Sequence, residues 1–229
     1  MKLVLTCEHA GNTIPEKFRE LFKEAEEILE THRGFDPGAY DLYSPLKSLA
    51  SFARTHKESR LLIELNRSLH HPALFSKFTT GIPQELKDEL IETYYLPYRC
   101  EIENVISNYI KKGEEVVHLS IHSFTPELQG EVRNADIGLL YDPSRKMEKD
   151  WCKALKKVIQ KRDSTLRIRF NYPYRGQADG FTTYLRKKFP TNYRGIEIEI
   201  NQKFVCENKM SEALKSTVFS AINEMMNVE

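Results

Sequence analysis

An alternation of short apolar runs with longer stretches of helical spacing limits the folds open to this chain. Strand-like runs lie at 2–6, 60–65, 117–122, 136–141, 166–171 and 195–200. Between them, apolar residues recur every three to four positions, the spacing of one face of a helix. Such stretches run from Pro15 through Phe18, Leu21, Phe22, Ala25 and Ile28, from Tyr40 to Ala53, over 83–112, over 148–162, from Phe181 to Lys188 and from Ser211 to Met226. Pro97 is expected to break or kink the 83–112 helix, because it removes a backbone donor and crowds the preceding turn. Strands alternating with helices build α/β sheets covered on both faces. The expected fold is therefore a three-layer αβα sandwich with a mostly parallel or mixed sheet. The chain has 229 residues, 40% of them hydrophobic, which suits one core, so 1–229 is read as one domain.

The charge balance narrows the partners. Lys and Arg number 34 against 33 Asp and Glu, a formal net charge of +1, so no global field recruits nucleic acid or an acidic membrane. A small molecule is the expected partner, and a monomer or small homo-oligomer the expected state. Cys7, Cys100, Cys152 and Cys206 are scattered singly, without the short spacing of a zinc knuckle or redox pair. They read as free thiols of a reducing compartment. The N-terminal apolar run is too short for the core of a signal peptide, and no segment reaches the ~20 apolar residues of a membrane span. The expected location is the cytoplasm.

The chemistry is concentrated where the strand-like runs end. In 117-VHLSIHSFTP-126, alternation along a strand puts His118, Ser120 and His122 on one face and Val117, Leu119 and Ile121 on the other. His9 follows the first run beside Gly11, Asn66 and Arg67 follow the second, and the loop 172-YPYRGQADG-180 follows the fifth. In open α/β sheets this C-terminal edge is where ligands bind.

Asp36 sits in the turn Gly-Phe-Asp-Pro-Gly-Ala, which suits a turn-former and would equally hold a carboxylate in place. Two imidazoles and a carboxylate, as in His9, Asp36 and His122, are a common catalytic zinc set. Glu8, next to His9, is a second candidate in that loop. In 195-GIEIEI-200, Glu197 and Glu199 share one face, as on an edge strand with a wet side or as carboxylates turned toward a site. Arg67 and Arg175 are candidate clamps, because a guanidinium matches a carboxylate with two parallel hydrogen bonds.

Taken together, CEHAGNTIP, HRGFDPGA, LIELNRS, HSFTP, NYPYRGQADG and GIEIEIN resemble the N-formylglutamate amidohydrolase family, in order and from about Lys2 to Asn201. The resemblance implies a zinc-dependent amidohydrolase on a fold similar to that of zinc carboxypeptidases, acting on a small N-acyl amino acid. It implies His9, Asp36 and His122 as ligands of one Zn2+, Asn66, Arg67 and Arg175 as substrate-binding residues, and Glu199 as the general base. His118, two residues deeper, is expected to support the site or the core. HRGFDPGA and SIHS also resemble pieces of zinc-dependent N-acetylmuramoyl-L-alanine amidases. A peptidase or cell-wall amidase with the same machinery, and a binding protein that kept the fold without catalysis, are the competing readings.

Overall fold

A computed structural model describes residues 1–227, so Val228 and Glu229, the end of the 1–229 expectation, lie outside the described residues. Six strands form one mixed sheet: β1 (Lys2–Cys7), β2 (Phe52–Thr55), β3 (Val116–Phe124), β4 (Ile137–Leu140), β5 (Ile168–Phe170) and β6 (Tyr193–Asn201), in the order β2-β1-β3-β6-β4-β5. The first four in that order are parallel, β4 is antiparallel to β6, and β5 is parallel to β4. Among the described residues six helices longer than one turn cover it: α1 (Ala39–Leu46), α2 (Gln84–Leu90), α3 (Leu96–Lys111), α4 (Lys146–Arg162), α5 (Phe181–Lys188) and α6 (Glu212–Met226), while the 15–28 stretch is a 3-10 helix, Glu16–Phe22, followed by a single α-turn, Glu26–Leu29. A π-helical turn, Ile91–Tyr95, joins α2 to α3, and Pro97 falls in the first turn of α3. The widened turn accommodates a ring that an α-helix interior would reject.

The two faces of the sheet differ in chemistry. On one, Leu3, Leu5, Leu119, Ile121, Ile196 and Ile198 pack against α1, α4 and α6 in a continuous apolar core. On the other, Val4, Val116 and Tyr193 meet Phe22, Ile63, Tyr98, Ile102 and Phe181, which come from the 3-10 helix Glu16–Phe22, the 59–79 turns, α3 and α5. Toward the C-terminal edge this second face becomes polar. Register puts Thr6, Ser120 and Glu197 side by side, and His122 beside Glu199.

Three local expectations are corrected. The run 60–65 is a series of turns, tied by Leu62 N–H to Ser59 O and Glu64 N–H to Leu74 O. A short apolar run without clear alternation buries Leu62, Ile63 and Leu65 equally well in either form, and the seat beside β1 is taken by Phe52–Thr55. That strand begins inside the 40–53 stretch read as helical; the α-helix instead ends at Leu46, with a 3-10 turn at Lys47–Leu49 before the strand. Glu197 and Glu199 are not on an edge strand, because β6 lies between β3 and β4. The sheet direction also alters how Arg175 arrives. β5 points away from the site edge, so the loop after it folds back over the sheet. A Cβ on Gly138 would meet Tyr172 O at 2.1 Å, so only glycine admits the crossing.

Candidate active site

A cavity of about 390 Å³ opens at the C-terminal edge of the parallel strands, lined by residues named above as site candidates: His9, Asp36, Asn66, Arg67, His122, Arg175 and Glu199. Arg60, Tyr174, Asp179 and Glu197 share it.

Its floor is a buried charge network. His9 leaves β1 and His122 stands near the end of β3, with their rings 5.0 Å apart and edge to face. Asp36, in the turn that leads into α1, points Oδ2 at both: 3.3 Å from His9 Nδ1 and 2.9 Å from His122 Nδ1. Ser123 N–H also donates to that oxygen, while the Ser123 hydroxyl donates to Pro37 O and fixes the turn. The far nitrogen of each ring is held as well. His9 Nε2 lies 2.6 Å from Glu64 Oε1. His122 Nε2 lies 2.8 Å from Ser120 Oγ and 3.3 Å from Glu8 Oε2, with Ser120 and Tyr98 both donating to Glu8. Arg60 closes the ring, donating to Glu64 at 2.8 Å and to Asp36 at 3.3 Å.

The protonation states follow from these contacts. Burial alone would raise the carboxyl pKa values. For Glu8 the His122 hydrogen bond and charge outweigh burial, for Asp36 the two histidines do, and for Glu64 the Arg60 and His9 charges do. All three stay well below the usual carboxylate range. Burial likewise opposes charge on the imidazoles, but Asp36 and Glu8 raise His122 well above its ordinary value, and Glu64 and Asp36 raise His9.

One donor atom from each of His9, Asp36 and His122 lies within 4.8 Å of the others. Ligands at ~2.0–2.1 Å around a tetrahedral zinc stand about 3.3 Å apart, so the spacing fits a metal of that size with little movement. The donor set, two imidazoles and one carboxylate with the remaining ring nitrogens anchored by carboxylates, is the arrangement that fixes tautomer and ring direction in zinc sites. The residues fit the group.

Glu199 has a different environment. It is buried, and among the described residues its carboxylate accepts no hydrogen bond; Oε2 is fully enclosed. Burial, reinforced by the charges of Asp36 and Glu197 and opposed by His122, pushes its pKa up to about 8. Glu197, half-buried, accepts from the Thr182 hydroxyl at 2.7 Å. On the opposite wall, Asn66 Oδ1 accepts from Phe181 N–H and caps α5, and Arg67 donates to Asp179 O. Arg175 is exposed on the crossing loop.

Glu64 and Arg60, with the Tyr98 hydroxyl, are members of this network that the sequence does not single out. A signal existed for the first two: they lie four residues apart in an apolar run, the spacing of a facing pair. His118 stays outside the cavity, bonded to the Thr6 hydroxyl and to Tyr193, both at 2.8 Å.

The model of the N-formylglutamate amidohydrolase family matches residues 1–206. Among solved structures, a gene product of Agrobacterium tumefaciens aligns at 23% identity with a TM-score of 0.80, covering 98% of this chain and 88% of that one. An N-formylglutamate amidohydrolase from Ralstonia eutropha JMP134 aligns at 19% identity with a TM-score of 0.68, covering 99% and 91%. At these identities the likeness is one of fold. No curated protein matches the sequence. No helix among the described residues is long and apolar enough to cross a membrane.

Proposed function

The chain belongs to the N-formylglutamate amidohydrolase family, and on that premise we propose that it is a zinc-dependent hydrolase that removes a formyl or other small acyl group from an N-acyl amino acid such as N-formylglutamate. The observation that carries this reading is Glu199. A buried carboxyl without a hydrogen-bond partner shares one cavity with a His-Asp-His donor set and with Arg67 and Arg175. A carboxyl that no other group holds, beside the donor set, is placed to take up a proton and give it back.

His9, Asp36 and His122 would hold the ion, with Glu64 and Glu8 steadying the two rings. Bound there, zinc supplies Lewis acidity, which lowers the pKa of water and polarises an amide carbonyl. Arg67 and Arg175 would bind the carboxylates of the substrate, and Asn66, whose carbonyl oxygen already caps α5, keeps its amide N–H groups for the ligand. Glu199 takes the proton of the attacking water and returns it to the departing amine, so its carboxyl ends the cycle as it began.

The test compares Glu199→Gln with Glu197→Gln, measuring zinc content and turnover on N-formyl, N-acetyl and N-succinyl amino acids. Glu199→Gln should keep its zinc and lose roughly 10²- to 10⁴-fold in turnover, the usual share of acid–base catalysis. Glu197→Gln should lose much less. Normal turnover in Glu199→Gln would remove that residue from the reaction.

A further inference from the structure

Behind the turn that carries Asn66 and Arg67 lies a second cavity, about 240 Å³, between that turn, α3 and α5. Its rim is unusually apolar for a surface: Leu69, Leu96 and Tyr184 are 41%, 38% and 39% exposed, and Tyr95 and Cys100 continue the wall. Scattered exposed apolar residues are ordinary, but three of this size around one depression are a patch.

The remaining wall is charged. Arg99, on α3, is only 5% exposed, and its guanidinium lies over three aromatic rings, 4.3 Å from the centre of Phe181 and 4.8 Å from those of Tyr95 and Tyr184. Its Nη1 is committed, donating to Leu65 O at 2.9 Å and Arg67 O at 3.0 Å. Among the described residues Nε and Nη2 donate to nothing, and no carboxylate lies within ion-pair distance. Glu103, one turn along α3 and on the same cavity wall, has its charge taken up by Lys188 and the Tyr184 hydroxyl. A buried cation without a counter-ion is costly, and burial correspondingly pulls the Arg99 pKa below its ordinary value. The aromatic rings cover its faces, while the Nε–Nη2 edge, the fork that matches a carboxylate, lacks a partner.

We infer that this cavity binds a small aromatic carboxylate, its carboxylate on the Nε–Nη2 edge of Arg99 and its ring among Leu69, Leu96 and Tyr184. The site is separate from the candidate active site and independent of what that site hydrolyses. The two are nevertheless one residue apart, because the other edge of Arg99 and the Tyr95 hydroxyl both hold Arg67 O.

Cys100 on the wall reports occupancy directly, with Cys206 as an exposed control elsewhere; Cys7 and Cys152 are buried. Alkylation of the intact protein by a maleimide would be followed at each thiol by mass spectrometry, with phenylacetate, the neutral 2-phenylethanol, or acetate added. Phenylacetate should slow Cys100 saturably, with half-effect at a concentration roughly tenfold or more below that of 2-phenylethanol, the difference a charged hydrogen-bonded pair makes. Cys206 should react at an unchanged rate, and acetate should not protect Cys100 at the same concentrations. In Arg99→Gln the acid should lose its advantage over the alcohol. Because that variant can fail to fold, the acid–alcohol comparison on the unaltered protein is sufficient alone. Equal protection by the two, no saturable protection of Cys100, or equal slowing of Cys206 would overturn the inference.

Discussion

Replacing Glu64 by glutamine tests whether the carboxylates behind the histidines set the metal affinity. Glu64 Oε1 receives His9 Nε2 at 2.6 Å and Asn66 N–H at 3.0 Å, and Oε2 receives Arg60 Nε at 2.8 Å. Glutamine has one acceptor oxygen, which must stay with His9 and Asn66, so its NH2 group turns toward Arg60 and opposes another donor. His9 keeps a hydrogen bond but loses the negative charge behind its ring, and Arg60 loses its nearest anion. Outer partners of this kind are worth 10- to 100-fold in metal affinity, or about 1.4–2.7 kcal/mol.

Zinc affinity would be measured by competition with a chromophoric chelator, and thermal unfolding of the metal-free variant would establish that it is folded. The Glu64 carboxyl is held well below the usual carboxylate range, so its own titration does not enter at working pH. The imidazoles do: both are raised, so protons compete with the metal from above pH 6.5, and affinity falls as pH drops. A folded Glu64→Gln protein whose zinc affinity stays within about twofold of the parent would refute the reasoning, since the negative charge behind the ring would then add almost nothing to metal binding.

Three further outcomes are expected. Arg67→Lys should raise KM for N-acyl amino acids roughly tenfold or more, because an ammonium cannot make the paired contact, and steady-state kinetics should find substrates with an amidated carboxylate poor for the parent enzyme. Burial holds His118 down to about 4, so the unfolded chain, near 6.5, takes up the proton first; its contribution of about 3 kcal/mol is complete above pH 6.5 and is lost as pH falls toward 4. Urea unfolding of the metal-free protein should therefore be less pH-dependent over that range in His118→Gln than in the parent. Gly138→Ala drives a methyl into Tyr172 O, 2.1 Å away, and against Glu199 Cβ at 3.1 Å; it should cost about 1–3 kcal/mol in thermal unfolding and lower turnover through the displaced loop.

Much of the site was legible because strand alternation is a local property. Two-residue periodicity alone put His118, Ser120 and His122 on one side of their strand and Glu197 with Glu199 on one side of theirs, and the register brings the two sets onto the same face of the sheet. The turn around Asp36 and the helices at 148–162, 181–188 and 211–226 were equally local, since spacing and punctuation specify them. Pairing is not local. Whether 52–55 or 60–65 lies beside β1 depends on which segment fits the remaining sheet, and both are short enough to pass for either form. The direction of β4 and β5, which sends the Arg175 loop back across Gly138, is likewise set by neighbours distant in sequence. Charge state is the extreme case. Glu64 and Glu199 are the same side chain, yet Arg60 and His9 hold one far below the usual carboxylate range, while burial without a hydrogen-bond partner pushes the other up to about 8. Desolvation and Coulomb energy depend on everything packed around a group, and only the folded chain supplies those surroundings.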